Sequence, residues 1–329
     1  MILNAAEYGF RARHYVASRN DELIFFALQP RGTHLMLWAL FTLIAAAAQT
    51  ARNAMQRELT ATLGTVGATH VRFLFGFPFA LVFLAVLLLV TGDSLPQTPS
   101  VFWPWVIAGA LTQIAATALM LSVMGERSFV VAYAYIKTEP VQVALFGLIF
   151  LGDHVTPLSA AAILIATAGV IVISLKPGAA RASTLRSTAV GILSGTMFAL
   201  SAIGYRGAIL SLDHPHFVLA ATFTVVVGLA MQAVLLSLYL VLRDRKVLSA
   251  IARAWRPSLF AGFMGAFASE FWFLAFAIAT AANVRTLALV EVLFAQFVTR
   301  FIFKQPTTSR EITGVVLVVI GVALLVWAY

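Results

Sequence analysis

Two charged residues stand close together inside an apolar stretch of this chain. The segment YIKTEPVQ (135–142) carries Lys137 and Glu139, with FVVAYA before it and VALFGLIFLG after it. A charge at the middle of a membrane costs about 2.5–3.5 kcal/mol on insertion scales, so it usually faces a bundle interior or a water-filled cavity. Residues two apart on a helix point about 200° apart, so these two cannot pair with each other. Each therefore needs its own partner elsewhere.

Polar side chains beside this pair are predicted to form a stripe on one helix face. Tyr135 and Gln142 lie four residues before and three residues after Glu139, a spacing that places all three on one side of a helix. We expect this side to border a cavity. Pro140 has no backbone N–H, and its ring crowds the carbonyl group four residues earlier, so a kink is expected there.

Three more charges stand inside later apolar stretches. Glu270 lies in FASEFWFLAF (267–276), and Arg285 precedes Glu291 by six residues. The two acids are interpreted as groups that bind an amine or carry a proton. Arg285 either binds a carboxylate or gates an entrance, or it only marks the membrane interface. The aromatic neighbours of Glu270 are expected mostly to face lipid or other helices, because they surround the whole helix.

A structural alternative remains open for the same charges. Lys137 can form a buried ion pair with Glu270 or Glu291, although intramembrane charges are functional often enough to favour the functional interpretation. Arg72 and Arg206 lie near the ends of predicted helices. Long cationic side chains there can extend to water, so these two arginines are interpreted as interfacial.

The composition indicates the elements that must position these residues. Of 329 residues, 61% are hydrophobic and only 11% are charged, with a mean hydropathy of +0.95. Soluble domains carry about 25% charged residues, so this chain cannot cover a globular surface with polar groups. The fold class is therefore an all-α polytopic membrane protein. Ten transmembrane helices are predicted at about 34–53, 66–91, 101–124, 128–151, 156–175, 187–208, 216–242, 257–280, 284–303 and 309–328.

The chain repeats itself. Three pairs of identical residues recur 152 positions apart: Glu139 and Glu291, Thr156 and Thr308, Gly169 and Gly321. Each copy holds five helices, and because five is odd the second copy enters the bilayer from the opposite side. Two inverted five-helix repeats are a device of many secondary transporters. The predicted organisation is an N-terminal tail (1–33), a first repeat (34–175), a linker (176–186) and a second repeat (187–329).

The sequence resembles EamA-type members of the drug/metabolite transporter superfamily over about residues 34–329. The stretch VRFLFGFPFALVFLAVLLL (71–89) is similar to the family's second helix, and Pro140 with FLGDHVTPLSAAAILIATAGVIVI (150–173) is similar to its repeat ending. Asp153 stands where the family usually has glutamate, and the second copy departs further, with Val292 replacing the proline and Gln305 the acid. The resemblance implies a ten-helix carrier that moves small metabolites, often outward, through a central cavity.

The expected function is a secondary transporter, in the export direction, for a small polar or zwitterionic metabolite such as an amino acid. Lys137 and Arg285 would meet a carboxylate, while Glu139, Glu270 and Glu291 would meet an amine or carry a coupling proton. Two other classes remain open: an integral-membrane enzyme acting on lipid-linked substrates, and a non-transporting membrane partner protein.

The remaining features limit which cofactors and partners the chain is expected to have. It has no cysteine and no metal-ligand or catalytic motif, so no cofactor, metal or enzymatic activity is expected. The net charge of +9 is attributed to contact with anionic lipid, not to nucleic acid, because no basic helix face with interleaved aromatics is present. The expected location is the bacterial inner membrane, as a monomer or homodimer. The N-terminal tail has no signal-peptide core and is expected to be poorly ordered or to lie on the membrane surface.

Overall fold

The computed structural model describes residues 31–123, 129–174, 185–297 and 308–329, and these residues are helical with short connections. Residues Trp38–Tyr329 form one compact unit, while Met1–Leu37 cluster separately and are described only from residue 31, where a helix begins. The predicted tail therefore lies outside the described residues except for 31–33, and most of the predicted linker does too. The predicted all-α class is confirmed.

Most of the helices match predicted spans. In chain order we name them α1 (Arg31–Thr91), α2 (Phe102–Val123), α3 (Phe129–Ile136), α4 (Glu139–Phe146), α5 (Pro157–Ser174), α6 (Leu185–Ser211), α7 (Phe217–Arg243), α8 (Arg245–Arg253), α9 (Trp255–Ile278), α10 (Ala281–Leu287), α11 (Glu291–Phe297) and α12 (Ser309–Ala328). Within the described residues, eight segments are long and apolar enough to cross a membrane. The first of these, Leu37–Thr91, has 55 residues, which is enough for two crossings at about 20 residues each.

The first helix differs from its prediction. Residues 54–65 were expected to connect two spans, but they continue the helix, and the chain turns only at Gly64. The stretch NAMQRELTATL before that glycine contains good helix formers and no breaker, so nothing ends the helix earlier. Gly64 has φ of 69°, a left-handed conformation that costs glycine little. Arg52 consequently lies well inside a helix, not at its end.

A short amphipathic helix was not predicted. The basic segment RKVLSAIAR forms α8, which Asp244 caps by accepting a hydrogen bond from the backbone N–H of Lys246. Its buried Ile251 belongs to an apolar cluster with Leu59 and Leu63 of α1. The helix thus covers the extension of α1, and its charged residues remain on the outer face.

Two spans are interrupted at equivalent positions of the two repeats. Between α3 and α4 the helix breaks at residues 137 and 138, and Pro140 sits in the first turn of the new helix, where its missing N–H has no intrahelical partner to lose. Between α10 and α11 the chain tightens into a 3-10 turn over Ala288–Val290. Since position 137 corresponds to 289 in the repeat, the two interruptions are counterparts.

Glycines allow close approach of helices from the two repeats. A Cβ atom at Gly169 of α5 would lie 2.7 Å from the backbone oxygen of Gly314 of α12, and one at Gly321 of α12 would lie 2.5 Å from the backbone nitrogen of Ala166 of α5. A similar contact joins α2 and α6, where Gly204 faces the backbone of Gly109. Small residues commonly allow membrane helices to pack at such short separations.

Candidate functional site

Two ion pairs connect the interrupted helices of the two repeats. Lys137 Nζ contacts Glu291 Oε1, and Tyr133 donates a hydrogen bond to the same oxygen at 3.1 Å. Arg285 Nε lies 3.0 Å from Glu139 Oε1, but the geometry is that of a charge contact and not of a hydrogen bond. Each pair therefore joins a base of one repeat to an acid of the other, and we call the four residues the crossed ion pairs.

The interruptions explain how these charges reach their partners. Glu139 and Glu291 are the first residues of α4 and α11, where a carboxylate interacts favourably with the helix dipole. Lys137 lies in the break itself, so its side chain is not held to a face of α3 or α4. All four groups are largely enclosed, with exposed side-chain fractions between 7% and 12%.

Arg285 has aromatic as well as acidic neighbours. Its guanidinium carbon lies 4.4 Å from the ring centroid of Trp272 and 5.5 Å from that of Phe276, distances at which a cation is attracted by the ring face. Trp272 donates its indole N–H to Gln49 Oε1 at 3.2 Å. The arginine is therefore held between α4 and α9, inside the molecule. The interpretation of Arg285 as an interface marker is wrong.

A polar cavity adjoins Arg285. Its wall contains polar side chains from both repeats together with aromatic rings of α9: Gln49, Arg72, Gln113, Ser201, Tyr205, Ser269, Arg285, Trp272, Phe273 and Phe276. The cavity volume is about 10 Å³, which is room for about one water molecule. A metabolite would fit only if the surrounding helices moved apart.

Arg72 lines this cavity and is not interfacial, contrary to the prediction. It is 2% exposed and lies within hydrogen-bond distance of Thr117 Oγ1 at 3.3 Å and Ser269 Oγ at 3.4 Å. Arg52, only 1% exposed, is buried beside it. Arg52 is deep because the helix that holds it extends to Gly64, whereas Arg72 follows that turn by eight residues and is enclosed by its contacts with Thr117 and Ser269. An unbroken helical pattern through residues 53–63 was the signal that could have revealed this.

Glu270 lies apart from the crossed ion pairs. Its Oε1 accepts a hydrogen bond from Thr222 of α7 at 2.5 Å. Its Oε2 is buried and has no hydrogen-bond partner among the described residues, nor does a basic group there lie within ion-pair distance. Of its aromatic neighbours, Trp272 and Phe273 line the cavity. The structural alternative of a Lys137–Glu270 pair is wrong, since Lys137 meets Glu291.

The three residues of the predicted polar stripe do not face the same neighbour. Tyr135 packs against Gly191 of α6, and Gln142 reaches Gly195 on the same helix while donating a hydrogen bond to Thr138. Glu139 faces Arg285 instead. The expectation that all three border one cavity is wrong, because Tyr135 and Gln142 face α6 whereas Glu139 faces Arg285. The interruption itself lies one turn or less before Pro140, as the proline predicted.

Arg206 lies near the end of α6, as predicted, but its side chain binds neighbouring elements and does not extend to water. It donates hydrogen bonds of 2.5 Å to the backbone oxygens of Phe276 and Ala279, and it lies 3.4 Å from Asp153 Oδ1. These contacts join α6 to the end of α9 and to the turn before α5. Tyr329 adds a hydrogen bond to the backbone oxygen of Ile278 at 3.2 Å. We use the name end network for the contacts that Asp153, Arg206 and Tyr329 make with one another's segments and with the end of α9.

Comparisons with known proteins agree with this architecture. The sequence model of the EamA-like transporter family matches residues 36–175 and again 181–327. No curated protein matches the chain. One solved structure, described only as "Crystal structure of protein", matches with a TM-score of 0.62 at 15% identity, covering 90% of this chain and 96% of that one. A likeness at this level of identity concerns the fold alone.

Proposed function

The chain belongs to the EamA-like transporter family, and from this we propose that it is a secondary transporter that exports a small polar or zwitterionic metabolite, such as an amino acid, by alternating access. The family consists of transporters, which favours this assignment over an integral-membrane enzyme for lipid-linked substrates and over a non-transporting partner protein. Its location would be the inner membrane of a bacterium. The outward direction follows from the resemblance to carriers that often move their substrates out.

The observation that carries the proposal is the crossed arrangement of the ion pairs. Lys137 and Glu139 come from the first repeat, while Arg285 and Glu291 come from the second. Interrupted helices in corresponding positions of two repeats are where many secondary transporters bind their substrates. A metabolite with one carboxylate and one amine offers each kind of charge a replacement partner.

Partner exchange links binding to movement. When a substrate carboxylate takes the place of Glu139 on Arg285, and an amine takes the place of Lys137 on Glu291, both contacts between the repeats are released. Arg285 and Glu291 then keep a charged partner in the substrate, whose absence would be strongly unfavourable, while the released Lys137 and Glu139 are hydrated as the repeats move apart. In this scheme, binding of the substrate permits the conformational change.

A proton is the proposed coupling ion, and Glu270 is the proposed carrier. A carboxyl group that is buried, has one hydroxyl donor and has no basic partner among the described residues can take up and release a proton without disrupting an ion pair. Intramembrane carboxyl groups in transporters commonly serve as proton relays. The separation of Glu270 from the crossed ion pairs leaves the substrate charges free for their own exchange.

The end network is the proposed gate at one end of the cavity. It connects the first repeat, through Asp153, with the second repeat, through Arg206 and the end of α9. Opening towards that side would require these contacts to break.

Transport by the purified protein in liposomes tests the proposal. Liposomes preloaded with an unlabelled metabolite are diluted into trace labelled metabolite, and counterflow is followed for neutral, acidic and basic amino acids, organic acids, nucleosides and sugars. We expect at least one polar or zwitterionic class of metabolite to accumulate. Protein-free liposomes should show no such accumulation, and the double variant Glu139→Gln with Glu291→Gln should abolish it. No counterflow of any class would refute the transporter assignment. Full counterflow in the double variant would refute the assigned site.

A further inference from the structure

The charges around the cavity do not balance. The cluster contains four basic and two acidic side chains: Lys137, Arg285, Arg52, Arg72, Glu139 and Glu291. The crossed ion pairs use both acids and two of the bases. Arg52 and Arg72 remain, and within the described part of the chain no carboxylate lies at ion-pair distance from either of them. Even with Glu270 ionised, the buried interior carries an excess of positive charge.

Arg52 is the more exceptional of the two. Its Nη2 donates a hydrogen bond to the neighbouring Asn53 at 2.8 Å, whereas Nε and Nη1 are buried without a hydrogen-bond acceptor among the described residues. A buried charge without a partner is strongly destabilising. Stability therefore does not account for the burial of such a group, and a ligand that enters only during function can supply the missing acceptors.

The two arginines converge beside the cavity. A Cβ atom at Gly265 of α9 would lie 3.0 Å from Cγ of Arg72 and 3.6 Å from Cδ of Arg52, so both side chains pass over this glycine. Gln49, which precedes Arg52 by one turn of α1, lines the cavity together with Arg72 and Arg285. Two guanidinium groups thus line one small polar space, and the side chain of Arg52 passes over Gly265 together with that of Arg72.

Resting on the transporter assignment above, we propose that Arg52, Arg72 and Arg285 bind an oxyanion and that the transported metabolite carries a net negative charge. Guanidinium groups present several N–H donors in a plane and bind carboxylate or phosphate oxygens with two bonds at once. The acidic group would lie between Arg52 and Arg72, and a further carboxylate would take the place of Glu139 on Arg285. An acidic amino acid, a dicarboxylate and a phosphate ester share this chemistry.

Binding is tested first, on the purified full-length protein. The thermal unfolding midpoint is measured with glutamate, succinate, inorganic phosphate, alanine and lysine at constant ionic strength. A ligand that binds only the folded state raises the midpoint. We expect at least one of the three anions to raise it, and the apparent affinity to fall about 10- to 100-fold in Arg52→Gln, as for the loss of a hydrogen bond from a charged group. The exposed Arg253→Gln on α8 is the matched control and should respond like the wild type.

The unliganded midpoint separates a ligand-binding arginine from a structural one. Replacement of a buried, unpartnered cation removes a cost, so Arg52→Gln should unfold at the same or a higher temperature than the wild type without ligand. Arg52→Lys keeps the charge and should retain part of the anion response. A lower unliganded midpoint in Arg52→Gln together with an unchanged anion response would identify a structural residue and overturn the proposal.

Counterflow distinguishes this proposal from the transporter assignment on which it rests. Counterflow of glutamate, succinate or phosphate, lost in Arg52→Gln, supports both and identifies the type of anion. Counterflow of alanine or lysine alone, unaffected by Arg52→Gln, leaves the transporter assignment intact and overturns the anionic substrate. Anion-dependent stabilisation without counterflow of any metabolite supports the anion site and contradicts transport. If none of the three anions raises the unfolding midpoint and none shows counterflow, the anion site is also overturned.

Discussion

At the scale of single residues, the interior is organised by the pairing of charges between repeats. The sequence predicted that Lys137 and Glu139 need separate partners, and the structure provides Glu291 and Arg285. Glu270 and Glu291 could not be distinguished as partners of Lys137 from spacing alone, because the packing of α4 against α10 decides which acid is near. The same limitation left the environment of Arg285 undecided.

The first prediction concerns the Lys137–Glu291 pair. Lys137→Met leaves Glu291 buried without its cation, and we expect the free energy of unfolding to fall by about 3–5 kcal/mol, as for a broken buried ion pair. Lys137→Met with Glu291→Gln removes both charges and should restore most of that loss. The thermal unfolding midpoints of the wild type, the single variant and the double variant measure this. A double variant as unstable as Lys137→Met would show that the pairing is not the stabilising contact.

The second prediction concerns Glu270. Glu270→Gln keeps the size of the side chain and an acceptor for Thr222, but an amide cannot take up and release a proton. Flux driven by a pH gradient should therefore fall to the level of protein-free liposomes, while counterflow without a gradient should persist. Glu58→Gln, at an exposed acid of α1, is the control and should leave both unchanged. Equal gradient-driven flux in Glu270→Gln and the wild type would exclude Glu270 as the proton carrier.

At the scale of helices, the repeat predicted from identical residues coincides with close helix contacts. Gly169 and Gly321, one of the pairs 152 positions apart, both lie in the contact of α5 with α12. The extension of α1 and the presence of α8 were not predicted. Charged residues in both segments suggested connections, whereas the helix formers before Gly64 and the cap at Asp244 favour helices. At these two places the residues that favour a helix, and not the polarity of the segment, determined the structure.

The contact of α5 with α12 gives the third prediction. Gly321→Val would place a Cβ atom 2.5 Å from the backbone nitrogen of Ala166, and backbone atoms cannot yield as a flexible side chain can. We expect a loss of about 1–3 kcal/mol or more in the free energy of unfolding, as for overpacked cores. Ala323→Val on the exposed side of α12 is the control and should be nearly neutral. Equal unfolding midpoints for the two variants would contradict the close packing.

The fourth prediction concerns two connections outside the membrane. His216 Nδ1 lies 2.7 Å from Asp93 Oδ2 and links the segment before α7 to the segment after α1. The hydrogen bond from His216 lowers the pKa of Asp93 below its ordinary value. A lowered pKa gives a stabilisation that is present above the unfolded-state pKa of Asp, about 3.9, and is lost as the pH falls through the lower folded-state value.

Asp93→Asn should accordingly lower the unfolding midpoint slightly at pH 5.5. The difference from the wild type should shrink as the pH falls below about 3.9, where the unfolded carboxyl is mostly protonated. Unfolding scans of both proteins across this range measure it. A difference that is absent at pH 5.5, or that persists unchanged at the lowest pH, would contradict a stabilising contact with the ionised Asp93.

At the scale of the whole molecule, composition and repetition were sufficient to predict the helical class and the two-repeat architecture, and the motifs at 71–89 and 140–173 were sufficient to predict the family. They could not locate Arg52 and Arg72 in the interior, because helix ends estimated from apolar runs place charges outside by assumption. The burial of Arg52 became visible only when α1 was seen to continue to Gly64. Arg52 was thus placed at the end of its predicted span through an error in one helix boundary, whereas Arg72 was interpreted as interfacial because it follows the predicted start of its span by only six residues.

The fifth prediction tests the central claim, which is that the crossed ion pairs bind substrate and do not merely brace the two repeats. The most direct measurement is counterflow by liposomes containing either the wild type or Lys137→Met with Glu291→Gln, compared for a metabolite that the wild type transports. The double variant removes one whole pair, so it retains charge balance and is expected to remain folded. We predict that it unfolds near the wild-type temperature and yet shows no counterflow above protein-free liposomes. Counterflow at the wild-type rate in the folded double variant would contradict the claim and make this pair a structural contact only.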